Sequence, residues 1–167
     1  MSKICLSELK WLFLDVDGVL TDGRLFYSPT GEKFKIFNVK DGLGLKRLKA
    51  TGVKVGVISG RGNKALLNRL EELKIDEIIM NRPDKGNVFK ELTQKIGNDI
   101  NYSAIIGDDL PDLELFRLCA VSIAVKDAID AVKDMADIVL TKDGGDGAVR
   151  EACELIIDKM VDRNIVN

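Results

Sequence analysis

Histidine is absent from the sequence. That absence removes every mechanism in which an imidazole activates a serine or a cysteine, and with it the commonest zinc ligand. Cysteine is scarce: Cys5, Cys119 and Cys153 are odd in number, far apart and without CxxC spacing, and Cys119 and Cys153 fall on apolar faces as small core residues. No apolar run approaches the roughly 20 residues of a bilayer span, so no membrane partner is expected. The first residues, Met1 to Cys5, lack a long apolar signal core, which makes the cytoplasm the expected location. No charge excess exists either: 25 basic against 27 acidic residues give a formal charge of -2 and no reason to propose a nucleic-acid partner. Chemistry in such a chain must run on carboxylates, hydroxyls, lysines and a hard metal.

Hydrophobic residues make up 46% and charged residues 31% of 167 residues. This composition suits a single globular domain spanning residues 1–167. Trp11 to Leu14 is an apolar segment running straight into Asp15-Val16-Asp17-Gly18. Burying two unpaired carboxylates costs several kcal/mol, ~3 or more, so the strand should end at Asp15 with both acids at its carboxyl end. Further strands are expected over Val53–Ile58, Glu77–Met80, Tyr102–Ile106, Val121–Val125 and Ile138–Leu140. Between them, Leu66, Leu70 and Leu73, then Val88, Leu92 and Ile96, recur at helical spacing. Val149, Ala152, Cys153, Ile156 and Met160 make a last apolar stripe. The alternation predicts an α/β fold: a doubly wound, Rossmann-like parallel sheet with helices on both faces.

One segment breaks the alternation. Gly23–Tyr27 and Lys33–Val39 read as strands joined by Ser28-Pro29-Thr30-Gly31-Glu32, a β-hairpin projecting after the first strand and occupying about residues 23–39. Phe26, Phe34 and Phe37 on such an arm imply either an oligomer interface or packing on the parent domain.

Three more polar sites follow strands: Ser59-Gly60-Arg61, Lys85 behind Asn81-Arg82-Pro83-Asp84, and Gly107-Asp108-Asp109-Leu110-Pro111-Asp112. In a parallel sheet with right-handed crossovers these ends share one edge, where open α/β sheets bind ligands. Asp15, Asp17, Ser59, Lys85, Asp108 and Asp109 should therefore converge. Carboxylates without soft ligands suit an octahedral oxygen site, hence magnesium. A serine hydroxyl at a helix N-terminus and a lysine ammonium suit phosphoryl oxygens. An ionised aspartate can attack phosphorus unaided, while the second acid protonates the leaving oxygen and later deprotonates water. Singly, each site also reads as an ordinary turn, cap or charged first helical turn. Four in order, each directly after a strand, are a mechanism. A phosphorylated receiver domain is excluded, because its acceptor follows the third strand and not the first.

The four sites resemble the motifs of the haloacid dehalogenase superfamily. Asp15–Gly23, Asn38–Gly44, Ile58–Arg61 and Gly144–Glu151 are similar to the branch of 3-deoxy-D-manno-octulosonate 8-phosphate phosphatases, over nearly the whole chain. The resemblance implies a magnesium-dependent phosphatase of lipopolysaccharide sugar synthesis. In it Asp15 is nucleophile and metal ligand, and Asp17 is acid/base and binds metal through its carbonyl. Ser59 and Lys85 hold the phosphoryl group; Asp108 binds magnesium, with Asp109 assisting through water. Asn38, Val39, Lys40, Asp41, Gly42 and Arg61 meet the sugar-acid end, where a guanidinium suits a carboxylate. The branch has no separate cap domain and forms homotetramers through the hairpin. Its C-terminal tail can reach a neighbouring site; here that tail, Asp162 to Asn167, is short. The alternatives are a phosphatase of a nonulosonate 9-phosphate and a non-catalytic oligomerisation module.

Overall fold

A computed structural model of the chain describes residues 5–166. The residues Met1 to Ile4, on which part of the expectation about a signal segment rested, lie outside them. Six parallel strands form the sheet: β1 (Trp11–Leu14), β4 (Lys54–Ile58), β5 (Glu77–Ile79), β6 (Ser103–Gly107), β7 (Val121–Ala124) and β8 (Ile138–Val139), in the order β5-β4-β1-β6-β7-β8. The chain winds outward from β1 through β4 to β5, then crosses back to β6 on the other side of β1 and winds outward again. The reversal falls at β1, between its two neighbours, and a crevice opens there at the strands' carboxyl ends. Leu14 pairs with Val57 on one side and Ile106 on the other. The residue after it is Asp15.

Leu12, Phe13 and Leu14 are buried on both faces of the sheet, which is why β1 is a continuous apolar run without alternation. Phe13 needs room on its side. The strand residue beside it is Gly56, and a Cβ there would meet the ring at 2.4 Å. The ring then packs edge-on against Phe89, centroids 5.8 Å apart, in α3 (Lys85–Ile96). Helices α1 (Val39–Ala50) and α2 (Lys64–Glu72) belong to the first winding, α3, α4 (Leu113–Leu118) and α5 (Asp130–Met135) to the second, and α6 (Ala148–Val166) returns to pack on α1. The expected apolar stripes face the core: Leu66, Leu70, Leu73, Val88, Leu92, Val149, Ala152, Cys153 and Ile156 are buried. Burial pushes the Cys119 thiol up to about 12 and raises that of Cys153, consistent with inert core residues. Among the described residues no helix is long and apolar enough to cross a membrane.

The hairpin exists but is shorter than its sequence suggests. β2 (Phe26–Ser28) pairs antiparallel with β3 (Gly31–Phe34), and the Phe26 and Phe34 rings stack at 4.7 Å. Phe37 packs against the core of the parent domain. The expected second strand stops at Phe34, and Val39 opens a helix. Asn38 caps that helix, its side chain accepting from the Lys40 N–H at 2.9 Å. Helix α1 is hard to read because Gly42 and Gly44 interrupt its apolar pattern. Gly44 is there for close packing, since a Cβ on it would come within 3.0 Å of the Arg150 backbone of α6; one on Gly42 would meet the end of the flexible Arg69 side chain. The expected C-terminal tail is also different. Asp162 to Val166 continue α6 as helix, while Asn167 lies outside the described residues.

Candidate active site

The crevice at the switch point is a cavity of about 260 Å³, lined by Asp15, Asp17, Ser59, Gly60, Arg61, Pro83, Lys85, Asp108, Asp109, Pro111 and Asp112. All six residues expected to converge there do so. Lys85, the first residue of α3, is 5% exposed, with its Nζ 2.9 Å from Asp15 Oδ1 and 2.6 Å from Asp112 Oδ1. Burial works against its charge, but the two carboxylates outweigh burial and raise its proton affinity above the usual lysine value. Lys85 therefore stays an ammonium.

Three carboxylates crowd around that one cation. Asp15, Asp108 and Asp112 each place an oxygen within 4.8 Å of the others. Burial, then the neighbouring acids, push Asp108 up to about 8, and burial raises Asp15 to about 6 despite Lys85. Asp108 Oδ1 is buried with no hydrogen-bond partner. An orphaned carboxylate oxygen, turned toward two more acids and short of positive charge, fits a divalent cation bound through hard oxygen ligands.

Asp112 is the member that sequence reasoning missed. It lies within the Gly107–Asp112 motif yet was given no role. Its side chain is 1% exposed, and one oxygen accepts from the Asp108 N–H at 3.0 Å and the Asp109 N–H at 3.4 Å while the other accepts from Lys85. Asp109 lines the cavity, but its Oδ1 accepts from the Leu110 N–H at 2.7 Å, and it stands outside the three-acid cluster. Here Asp109 acts as a cap and Asp112 stands nearer the cation site.

The turn after β1 is built for close approach. Gly18 has φ +93°, and a Cβ on it would lie 2.0 Å from Asp108 Oδ2, so only glycine leaves that carboxylate its place. Thr21 is buried; its hydroxyl donates to the Val16 carbonyl at 3.4 Å and accepts from the Gly23 N–H at 3.2 Å. The turn carries Asp17 outward, to the cavity mouth. There its carboxylate pairs with Lys35 through Oδ1 and lies 3.9 Å from Arg61 Nε through Oδ2.

Ser59 follows β4 and is 1% exposed, its Oγ accepting from the Arg61 N–H at 3.3 Å. It does not sit at a helix N-terminus as expected: α2 starts at Lys64, capped by Asn63. Gly60 and Arg61 form the cavity wall in between. Arg61 also donates to the Tyr27 hydroxyl at 2.9 Å, so the hairpin reaches over its own active site.

The remaining sugar-acid candidates are not brought to this cavity. Val39 and Lys40 are exposed at the start of α1, and Asn38 donates to the Gly145 carbonyl at 3.4 Å. Asp41 is 1% exposed and accepts from the Arg150 N–H at 2.8 Å. Its carboxylate serves the first turn of α6, where an acid complements free N–H groups. The other Asp41 oxygen, Oδ2, is buried without a hydrogen-bond partner. Gly42 lies beside the Arg69 guanidinium.

A family model for haloacid dehalogenase-like hydrolases matches residues 76–151. A 3-deoxy-D-manno-octulosonate 8-phosphate phosphatase of Haemophilus influenzae is 41% identical over 152 residues, covering 91% of this chain and 84% of that protein. The chain belongs to this phosphatase family. Solved structures of the family agree in fold. The cobalt-bound form of the Haemophilus influenzae phosphatase has a TM-score of 0.90 at 40% identity, covering 93% of this chain and 91% of that one. The phosphatase of Moraxella catarrhalis, in complex with a magnesium ion, a phosphate ion and a KDO molecule, gives 0.89 at 39% identity, with 96% and 92% covered.

Proposed function

We propose that the protein is a magnesium-dependent phosphomonoesterase hydrolysing 3-deoxy-D-manno-octulosonate 8-phosphate to the free sugar acid and phosphate. The observation that carries this reading is the three-carboxylate cluster with its unpartnered Asp108 oxygen, gathered around Lys85 in a family whose members have been solved with magnesium, phosphate and KDO. We read residues 1–167 as one catalytic domain without a separate cap, working in the cytoplasm in lipopolysaccharide sugar synthesis.

Asp15, Asp108 and the carbonyl of Asp17 would hold the cation, with Asp112 beside them. Bound there, it offsets the acids' mutual repulsion and lowers the charge of the phosphoryl group. Lys85 and the Ser59 hydroxyl bind phosphoryl oxygens and orient phosphorus toward Asp15. An Asp15 carboxylate oxygen forms a bond to phosphorus as the bond to the sugar oxygen breaks, giving an aspartyl-phosphate. Asp17 protonates the departing sugar oxygen. It then takes a proton from the water that attacks phosphorus and frees Asp15, so its proton count is restored.

The cavity, at about 260 Å³, is at the small end of ligand pockets, which run roughly 300–1,000 Å³. It suits the phosphate end, and the sugar acid extends over the mouth toward Arg61. Leu25, Tyr27, Phe34, Ile36, Val39 and Leu43 are exposed along the hairpin and the first turns of α1, which supports a homotetramer assembled through the hairpin. In such an assembly the segment Asn38, Val39, Lys40, Asp41 and Gly42 would meet the sugar-acid end of a neighbouring subunit's substrate. Light scattering on the wild type and a Phe34→Asp, Ile36→Asp variant tests the assembly; a monomeric wild type would contradict it.

Phosphate release tests the activity. The purified protein with magnesium should release phosphate from 3-deoxy-D-manno-octulosonate 8-phosphate with higher kcat/KM than from a nonulosonate 9-phosphate or simple hexose phosphates. A preference for the nonulosonate ester would reassign the substrate; no release from any sugar phosphate would reject the enzyme.

A further inference from the structure

A second charged group stands at the cavity mouth, assembled from Asp17, Arg61 and three residues of the hairpin segment: Tyr27, Glu32 and Lys35. Lys35 lies one residue past β3, where the hairpin returns to the domain. Its side chain is 1% exposed, an unusual place for a lysine, whose burial forfeits hydration and rotamer freedom. Two carboxylates hold it there. Its Nζ donates to Asp17 Oδ1 and sits 2.8 Å from Glu32 Oε1, which is itself buried. Glu32 in turn lies 3.9 Å from Arg61. The two oxygens of Asp17 thus have different surroundings. Oδ1 is tied to the hairpin, while Oδ2 faces the Arg61 side of the cavity.

We propose that Lys35 is a positioning residue: it pins Oδ1 of Asp17 so that Oδ2 is presented to the bridging oxygen of the phosphate ester. This rests on the reading of Asp17 as the acid/base of a phosphatase. In the first half-reaction the phosphorus–oxygen bond to the sugar breaks, and its electron pair stays with the sugar oxygen. That oxygen takes the proton from Asp17 Oδ2, while Asp15 gains the bond to phosphorus. In the second half-reaction Oδ2 accepts a proton from water as the water oxygen bonds to phosphorus and Asp15 leaves. Both transfers use the same oxygen in the same place. Asp17 sits on a turn with Lys35 on one carboxylate oxygen and Arg61 3.9 Å from the other, and a misplacement of ~1 Å can cost about 10²-fold in rate. The hairpin thereby contributes to the chemistry of its own subunit as well as to assembly.

Leaving-group dependence separates positioning from a merely structural role. A sugar alkoxide needs a proton to depart, whereas nitrophenolate is a stable anion and leaves without one. We would measure kcat/KM with magnesium on 3-deoxy-D-manno-octulosonate 8-phosphate and on p-nitrophenyl phosphate for wild type, Lys35→Met, Lys35→Arg and Asp17→Asn. A Lys35→Met, Glu32→Gln double variant, which strands no glutamate charge, guards against simple misfolding, and thermal melting checks each fold. Asp17→Asn sets the scale, with a loss of about 10²–10⁴-fold on the sugar phosphate. Lys35→Met and the double variant should lose about 10–100-fold there, mostly in kcat and not in KM, and at least about tenfold less on the aryl ester. Lys35→Arg should recover much of the loss. Equal losses on both esters would make the pair structural and overturn the proposal. A gain on the sugar phosphate would overturn it too, by showing a latch that holds Asp17 away. Wild-type protein that cleaves neither ester would reject the phosphatase reading and this one with it, whereas an active wild type with an unaffected Lys35→Met rejects the positioning role alone.

Discussion

At the floor of the cavity three carboxylates, Asp15, Asp108 and Asp112, cluster beside Lys85, whose ammonium pairs with Asp15 and Asp112. At its mouth two carboxylates, Asp17 and Glu32, share two cations, Lys35 and Arg61. The floor is short of positive charge; the mouth is neutral by count and built partly from a two-stranded hairpin. The difference divides the labour. A charge deficit fixed in a rigid sheet edge recruits a cation and then a phosphate, because only an outside group can balance it. A balanced cluster recruits nothing by itself, but it can hold a proton donor in place and exchange one carboxylate for another when a sugar acid reaches Arg61.

The largest expected effect removes the nucleophile from the floor. Asp15→Asn should lower kcat by about 10⁴-fold or more, measured as phosphate release, with the fold intact by circular dichroism. Lys85→Met should come next. It removes the ammonium that pairs with Asp15 and Asp112, so urea unfolding should register a loss of about 3 kcal/mol in metal-free protein, smaller when magnesium is present. If stability is unchanged, the floor is not short of charge and the contrast with the mouth collapses.

Asp108→Asn should separate stability from function. Removing a buried, unpartnered carboxylate should raise the melting temperature of metal-free protein near neutral pH by about 2–4 °C, while the stabilisation by magnesium disappears. The same contrast has a pH dependence. In the folded metal-free chain Asp108 and Asp15 hold protons far above their ordinary value of 3.8, up to about 8 and about 6. Groups raised in this way contribute their full stability below 3.8 and lose it as pH climbs through the folded values. Metal-free protein should therefore melt lower at about pH 8.5 than at about pH 5.5, and the upward shift produced by magnesium should grow over that window. A shift by magnesium that shrinks with rising pH would contradict the assignment. The smallest effect belongs to the mouth: Tyr27→Phe removes one exposed hydrogen bond to Arg61, worth about 1 kcal/mol or less, and should change KM only a few-fold.

The floor was largely legible in the sequence; at the mouth Asp17, Arg61 and the hairpin were, but the partners Tyr27, Glu32 and Lys35 were not. Strands β1, β4 and β6 announce themselves as apolar runs, and an acid or serine directly after each must sit at the sheet's carboxyl edge. Asp112 was less visible, since a carboxylate four residues after Asp108 serves equally as a cap, and only its burial against Lys85 distinguishes the roles. The pairing of Lys35 with Asp17 spans 18 residues and depends on how the hairpin folds back, which no local pattern encodes. Helix α1 hid for another reason. Its glycines lower helix propensity and blur its apolar face, yet Gly44 is what lets it approach Arg150.

The central claim is that the charge-poor floor does its chemistry through a covalent bond to Asp15. Rapid quenching of wild-type protein during turnover of 3-deoxy-D-manno-octulosonate 8-phosphate with magnesium, followed by borohydride reduction and peptide mass spectrometry, tests it directly. An acyl phosphate at Asp15 is reduced to homoserine, and the account predicts that conversion at residue 15 and at no other aspartate. Reduction at Asp17 or Asp108, or a phosphate ester on Ser59 during active turnover, would contradict it.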